Sequence, residues 1–359
     1  AQINDAVSIQ VKDTSGTFVP IFGGSIVDVA VTVSQTGSVA ITQEVTITAL
    51  GALSRLQKAL TLGVLQKDFD GDQIYDILRD VLFSTWAEVA GVQTWATYDP
   101  TITWANAENN GLGEIDRPGN YELAARSSSR TDVYSLVSAL ATSGLGYIYE
   151  NAQGQISYAD STHRTQYLAT NGYVDVSANQ ALASGIKIQT RSGDVRNDVT
   201  IKYGANSNNE VSDEDLASVA VFGRLAQVIT TTLHDQNDAE SQAAFYLALR
   251  AFPQAMMQSI TFELTNPELD DADRDSMINI FMGMPLRIAD LPDNMTAGQY
   301  LGFVEGWQFS AGYNTLSVTA LLSPLAYSIQ ALKWEEVSVS EQWNTITNTL
   351  TWENALVVA

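Results

Sequence analysis

The sequence contains no cysteine. That absence removes disulfides, iron–sulfur clusters, thiolate-ligated zinc and thiol catalysis. Histidine is nearly missing too: only His163 and His234 occur among 359 residues, so neither an HExxH helix nor a three-histidine metal site can form. Charge is scarce, with Asp, Glu, Lys and Arg together making 16 % of the chain. Ser, Thr, Asn and Gln supply the polarity instead. Cations are the scarcer sign: 18 Lys plus Arg stand against 41 Asp plus Glu, for a net charge of −23. A sequence-independent nucleic-acid binder needs a basic footprint, and none is visible. The field of this chain repels duplex DNA and anionic membrane alike. No apolar run approaches the ~18 residues of a membrane helix. No signal-peptide pattern opens the given sequence, which starts at Ala1 without Met, so sorting signals leave the compartment undecided.

Apolar residues make 45 % of the chain, which excludes a wholly disordered protein and suits two or three domains with real cores. The N-terminal third alternates with period two. Val27, Val29, Val31 and Val33 interleave with Asp28, Ala30 and Thr32; Val39, Ile41, Val45 and Ile47 interleave with Ala40, Thr42, Glu44 and Thr46. Each run reads as a half-buried antiparallel strand, and the short Gln35-Thr36-Gly37-Ser38 between them makes a hairpin. Phe18 to Gly24, with Pro20, reads as an edge strand entering it. The period then changes. Ile74, Ile77, Leu78, Val81, Leu82 and Trp86 predict a helix over 72–89 with Asp72 as N-cap. Val133, Leu136, Val137 and Leu140 predict another over 131–141, capped by Thr131 or Asp132 and ended by Gly144. Tyr147–Tyr149 and Ile156–Tyr158 flank a turn and read as a β-hairpin. Residues 50–180 are thus an α+β insertion between β-rich ends.

Strand patterns return at Ile186–Thr190 and at Val199, Ile201 and Tyr203. Ala205 to Asp215 is polar and acidic and reads as an exposed loop. A third helix is expected near 238–250, acidic at its start and basic at its end, with Pro253 beyond. Ile260, Phe262 and Leu264, then Leu301 to Phe309, then Leu316 to Leu322 alternate again, with Gly312 in the last turn, as in a meander or small barrel. After Pro324 the texture changes: Trp334, Trp343 and Trp352 recur every nine residues. Tryptophan is too large an apolar group to leave exposed three times in one tail. The segment reads as an extended arm laid on a neighbouring subunit or partner, or folded back on its own barrel.

Few residues suggest chemistry. Asp68-Phe-Asp-Gly-Asp72 with Asp76 looks like a calcium loop, but placing Gly71 at position 6 of the EF-hand template puts Gln66 at position 1 and Ile77 at position 12. The acids then read as a turn capping the next helix. The run Glu268 to Asp275 reads as a solvated loop and the first turn of a short helix. Glu305 beside Trp307 would suit glycoside hydrolysis, yet no motif marks a second acid. His163, with Asp160 and Arg164 nearby, and His234, with Asp235, are isolated. No GxSxG, GxGxxG or Walker loop is present. No catalytic, cofactor or metal residue is assigned; the candidate partner contacts are Trp334, Trp343 and Trp352.

The order of the short motifs resembles a family. Pro20-Ile-Phe-Gly-Gly-Ser-Ile-Val-Asp28, followed by Val45 to Leu53, looks like the first barrel of phage tail-hub proteins. Arg191-Ser-Gly-Asp-Val-Arg-Asn-Asp-Val-Thr-Ile-Lys-Tyr203 is similar to the returning barrel strand. Pro285-Leu-Arg-Ile, Phe303-Val-Glu-Gly-Trp307 and Leu321-Leu-Ser-Pro324 are similar to closing strands of minor tail proteins of long-tailed phages. The likeness covers most of residues 18–355. It implies a mostly-β α+β fold in which two antiparallel β-barrel-like modules flank the insertion. The divisions are 1–55, first part of the hub barrel; 56–182, insertion; 183–325, second barrel portion; and 326–359, Trp-rich arm. It further implies a non-enzymatic virion protein at the distal tail tip. That protein is a homotrimer contacting tube or distal tail protein, tape measure and receptor-binding protein, with DNA passing through unbound. The alternative is a carbohydrate-binding adhesin using the same Trp and Tyr side chains; a carboxylate-pair, wall-cleaving enzyme is a third reading.

Overall fold

The computed structural model describes residues 2–3, 5–36, 40–81, 112–181, 186–293 and 296–329. At the N-terminus β1 (Ala6–Lys12), β2 (Phe18–Thr36) and β3 (Ala40–Leu50) form an antiparallel sheet in that order. The expected hairpin is the β2–β3 pair. β1 covers the first half of β2, from Lys12↔Phe18 to Ala6↔Ser25, and β3 covers the second, from Ser25↔Leu50 to Thr36↔Ala40. Phe18 to Gly24 therefore pairs on one side only, where Pro20, with no N–H to give, is tolerated.

The insertion holds α1 (Asp70–Arg79), β4 (Leu112–Ile115), β5 (Glu122–Leu123), α2 (Val133–Ser143), β6 (Tyr147–Glu150), β7 (Ile156–Ala159) and α3 (His163–Asn171). β6 and β7 form the expected hairpin, with β4 added parallel to β7. Asp132 caps α2 by accepting from Ser135 N, and Gly144 ends it. Asp72 does not cap α1. The helix starts at Asp70, with Phe69 at the N-cap position. The Asp72 carboxylate is instead held by Arg117 Nε at 2.6 Å. Residues 82–89 of the expected helix lie outside the described residues.

Next come β8 (Val174–Ser177), β9 (Asp198–Tyr203), β10 (Asn209–Glu214), α4 (Leu216–Phe222), β11 (Ala226–Thr230) and α5 (Gln236–Arg250). The last elements are β12 (Ser259–Glu263), α6 (Asp271–Ile278), β13 (Pro285–Ala289), β14 (Tyr300–Ala311) and β15 (Leu316–Pro324). The expected loop at 205–215 is partly a strand: β10 pairs with β9 from Asn209↔Tyr203 to Glu214↔Asp198. It is an edge strand whose side chains are exposed apart from half-buried Val211, so it carries no alternation to read. The two larger C-terminal sheets are β10-β9-β11 and β8-β13-β14-β15-β12. The chain is mixed α+β with more strand than helix. Among the described residues the edges β8 and β12 do not pair with each other, so the five-stranded sheet is an open half-barrel, in line with the expected meander, and the two barrel-like modules are not both formed as closed units.

Two apolar cores form among the described residues. One joins Ile74, Leu78, Leu136, Leu140 and Tyr158 of the insertion with Val199, Ile201 and Leu233. The other joins Val176, Phe262, Met277, Leu286, Ile288, Val304 and Val318, with Val11 and Val19 of the N-terminal sheet packed on its edge. Arg164 on α3 bolts the insertion to the five-stranded sheet. Its guanidinium makes two parallel bonds to Glu305, at 2.8 and 2.9 Å, and a third to Ser328 Oγ at 2.8 Å. It also stacks over Tyr147, 4.5 Å from the ring centre.

Asn197 is a second joint. It is fully buried and fully bonded: Nδ2 donates to Gly223 O at 2.8 Å and Ser218 Oγ at 3.1 Å, and Oδ1 accepts from Leu225 N at 2.7 Å. These bonds tether α4 and its following turn to the start of β9. Asn197→Ala leaves the part-buried Leu225 N–H and Gly223 carbonyl without their side-chain partner. The expected cost is about 2–4 kcal/mol, read as a lowered midpoint with unchanged slope in urea unfolding. A midpoint equal to wild type would show that the joint carries no load.

Candidate assembly surface

Beyond its first pairs the β2–β3 ribbon leaves the body of the protein. A bulge at Val27 breaks the register between Ile26↔Ala49 and Asp28↔Thr48. Upstream of the bulge Ile26 is buried; downstream Val29 faces Ile47 and Val31 faces Val45. The extra residue keeps Ile26, Val29, Val31 and Val33 on one face, where an unbroken strand would have sent Ile26 to the other. The result is an amphipathic ribbon. Asp28, Ala30, Thr32, Glu44, Thr46 and Thr48 occupy the opposite face. The apolar row emerges from the core and runs out into solvent: Val31 is 61 % exposed, Val33 60 %, Val45 55 % and Ile47 48 %. An isolated two-stranded ribbon is marginal in water, and a long apolar strand pair in the open is an association site. Burying these four side chains would contribute on the order of 6–10 kcal/mol per ribbon before the entropic cost of association.

The acids that suggested chemistry turn out to be joints. Those of the calcium-like segment do not converge. Asp70 points inward, Asp72 pairs with Arg117, and Asp76 pairs with Arg79 at 2.9 Å. Gly71 is there for close approach, since a Cβ would sit 2.0 Å from the Asp116 carbonyl oxygen. In the acidic run, Asp270 caps α6 by accepting from Asp273 N. Asp273 accepts from Ser177 N of β8 at 3.2 Å, and Asp275 accepts from Thr14 N in the β1–β2 turn at 2.9 Å. The run thus fastens the N-terminal sheet to the second core. Glu305 sits at a bulge in β14 against Arg164. Burial works to raise its carboxyl, but the bonds from Arg164 and Ser323 hold it below the ordinary value. His163 Nδ1 lies 2.7 Å from Asp116 Oδ2, which raises the imidazole pKa.

Two carboxyls are strongly perturbed, which often marks an active site. Asp70 is fully buried, accepts from Asn120 N and Tyr121 N at 2.8 Å, and receives the Tyr158 hydroxyl; burial nevertheless pushes it up to about 6. Glu150 accepts from Leu53 N at 2.9 Å, and burial pushes it up to about 7. Neither lines the large groove at the insertion, whose walls are Leu60, Leu62, Val64 and Ile77 with Lys58 and Arg130 among them. Both accept hydrogen bonds from backbone N–H groups of neighbouring segments.

Trp334, Trp343 and Trp352 lie outside the described residues. The sequence holds a second such series, which periodicity at strand and helix spacing passes over. Trp86, Trp95 and Trp104 are also nine apart, each in Thr-Trp-Ala. Residues 86–107 and 334–355 share Trp, then Glu and Val two and three positions on, Trp at nine, Thr at eleven, and a closing Thr-Trp-x-Asn-Ala. A search for internal repeats is the signal that finds it. Six of the seven tryptophans of the chain belong to the two copies.

No family model matches the sequence, and no curated protein does. The fold, by contrast, is similar to that of solved phage-tail proteins. A tail protein from Neisseria meningitidis MC58 overlays with a TM-score of 0.53 at 11 % identity, across 87 % of this chain and 82 % of that one. The 43 kDa tail protein of prophage MuSo2 from Shewanella oneidensis overlays with a TM-score of 0.50 at 11 % identity, across 90 % of both chains. The prophage tail protein gp18 from Listeria monocytogenes overlays more loosely, with a TM-score of 0.44 at 10 % identity over 90 % of this chain and 86 % of that one.

The buried acids set a pH dependence. Above their unfolded values of 3.8 and 4.5 and below about 6 and about 7, folded Asp70 and Glu150 hold protons that the unfolded chain has released. Stability therefore falls as pH rises through that window. His163 acts in the same sense, because its raised pKa contributes stability that is lost as pH climbs through the folded value. For Asp70 alone the effect is on the order of 3 kcal/mol. Thermal melts are expected to show Tm falling from about pH 5 to about pH 7.5, with a shallower fall in Asp70→Asn, which keeps an oxygen for the two backbone donors. A Tm rising across that range would contradict the assignment.

Proposed function

We propose that this chain is a structural protein of a phage tail, a hub or minor tail protein at the distal tip, where three copies close a ring. The observation that carries the reading is the ribbon: a row of valines and isoleucine continued by a bulge onto one exposed face has no partner within the described chain. The fold likeness to the Neisseria and Shewanella tail proteins supplies the setting. Each ribbon is buried on the next copy, and the open sheet edges are completed around the ring into barrel-like walls. The insertion, residues 56–182, decorates the outside. The two Trp series are the contacts to neighbours. Trp334, Trp343 and Trp352 on the arm, residues 326–359, hold tube or distal tail protein, tape measure or receptor-binding protein. A net charge of −23 lets the genome pass without binding, because like charge prevents sticking.

The expected solution state is a trimer of the 38.9 kDa chain, measured by size-exclusion chromatography with light scattering. Val31→Asp combined with Val45→Asp places carboxylates in the row and is expected to give monomer with an unchanged circular dichroism spectrum. Wild type that stays monomeric at every concentration, or a double variant that assembles as wild type does, would refute the proposal. Removal of residues 330–359 is expected to leave the trimer intact while abolishing capture of neighbouring tail proteins.

A further inference from the structure

A cluster outside the ribbon and the buried joints has the make-up of a metal site. The segment Thr232-Leu233-His234 lies antiparallel to Glu122-Leu123-Ala124. Leu123 and Leu233 form an isolated bridge, His234 N donates to Glu122 O at 2.9 Å, and Ala124 N donates to Thr232 O at 2.7 Å. Both leucines are fully buried. Side chains alternate along paired strands, so the cross-strand pair Glu122 and His234 is placed together on the outer face. Asp235 follows at the N-cap position of α5. An aspartate there ordinarily bonds the first turn of its helix, but this one makes no side-chain cap bond. Its carboxylate lies 3.9 Å from His234 Nε2. One ligand atom each from Glu122, His234 and Asp235 falls within 4.8 Å of the others.

We infer that Glu122, His234 and Asp235 form a binding site for a zinc-type divalent cation. The donor set is one imidazole nitrogen and two carboxylates from two chain segments, a mixture that suits zinc or cobalt better than calcium, which takes oxygen alone. Bonds of about 2.0–2.2 Å require ligand atoms about 3.4 Å apart. Rotation of three partly exposed side chains closes the difference, while the backbone pairing already fixes two of them side by side. Water fills the remaining position. The ion ties β5 of the insertion to the start of α5, fastening two regions that are more than a hundred residues apart in sequence. Lys67 is the built-in competitor: its Nζ sits 2.8 Å from Glu122 Oε2, where it neutralises the carboxylate that the metal would take.

The test is calorimetric titration of the full chain with zinc chloride near neutral pH, with cobalt(II) absorption to report the ligands. One saturable site per chain and a raised Tm are expected. His234→Gln and Glu122→Gln are each expected to weaken binding about tenfold or more. Lys67→Met is expected to tighten it several-fold, a gain that a merely misfolded variant would not show. His163→Gln, which alters the other imidazole, is expected to bind as wild type does. No saturable heat at millimolar zinc, binding unchanged in His234→Gln, or loss in His163→Gln would each overturn the site. None of these outcomes bears on ring assembly, which is read separately from the mass of the oligomer.

Discussion

A pair of β-strands standing alone cannot bury its own apolar face, and the long ribbon of this protein has such a face. Strand geometry puts alternate residues on opposite sides, so valine at every second position makes one side dry. The bulge at Val27 aligns that side with buried Ile26. The apolar row is therefore a continuation of the core, carried outward along a two-stranded support. A solvated lifetime is costly for such a surface, and among the described residues none covers it. The proposed ring follows from that exposure more than from any single contact inside the chain.

The rest of the molecule is arranged to hold the ribbon and the sheets in one frame, and the scarcity of cations shapes how. Four arginines are placed at joints between segments. Arg164 binds Glu305 across the boundary between insertion and sheet. Arg126 donates to the Leu62 and Gly63 carbonyls, and Arg274 to those of Leu264 and Leu269. Arg250 stacks 3.5 Å from the centre of the Tyr327 ring. With 18 Lys plus Arg against 41 Asp plus Glu, the uncompensated surplus is acidic. A surface of that sign suits a conduit for a polyanion. The acidic residues that looked chemical in the sequence are largely the partners and caps of this framework.

What could be read from the sequence was what is local. Period-two valines showed the ribbon, and the spacing of Val133, Leu136, Val137 and Leu140 showed α2 with Asp132 as its cap. The strand at Asn209–Glu214 was illegible because an exposed edge strand needs no alternation. Asp70 was illegible for a different reason: its partners, Asn120, Tyr121 and Tyr158, come from distant positions, and no local rule distinguishes a buried aspartate from a capping one. The apolar row itself was legible, but its exposure was not. Alternation states that one face is dry and leaves open whether the chain or a neighbour covers it. The pairing of Glu122 with His234 was hidden likewise, since only a bridge between distant leucines brings them together.

The central claim is that the apolar face of the β2–β3 ribbon is covered by another copy. Hydrogen–deuterium exchange of the amides in residues 25–50, followed across protein concentration, tests it most directly. The account predicts slow exchange in the assembled protein, turning fast on dilution below the association range while the core strands β13–β15 stay protected. Fast exchange of the ribbon at every concentration, or protection that dilution leaves unchanged, would contradict it.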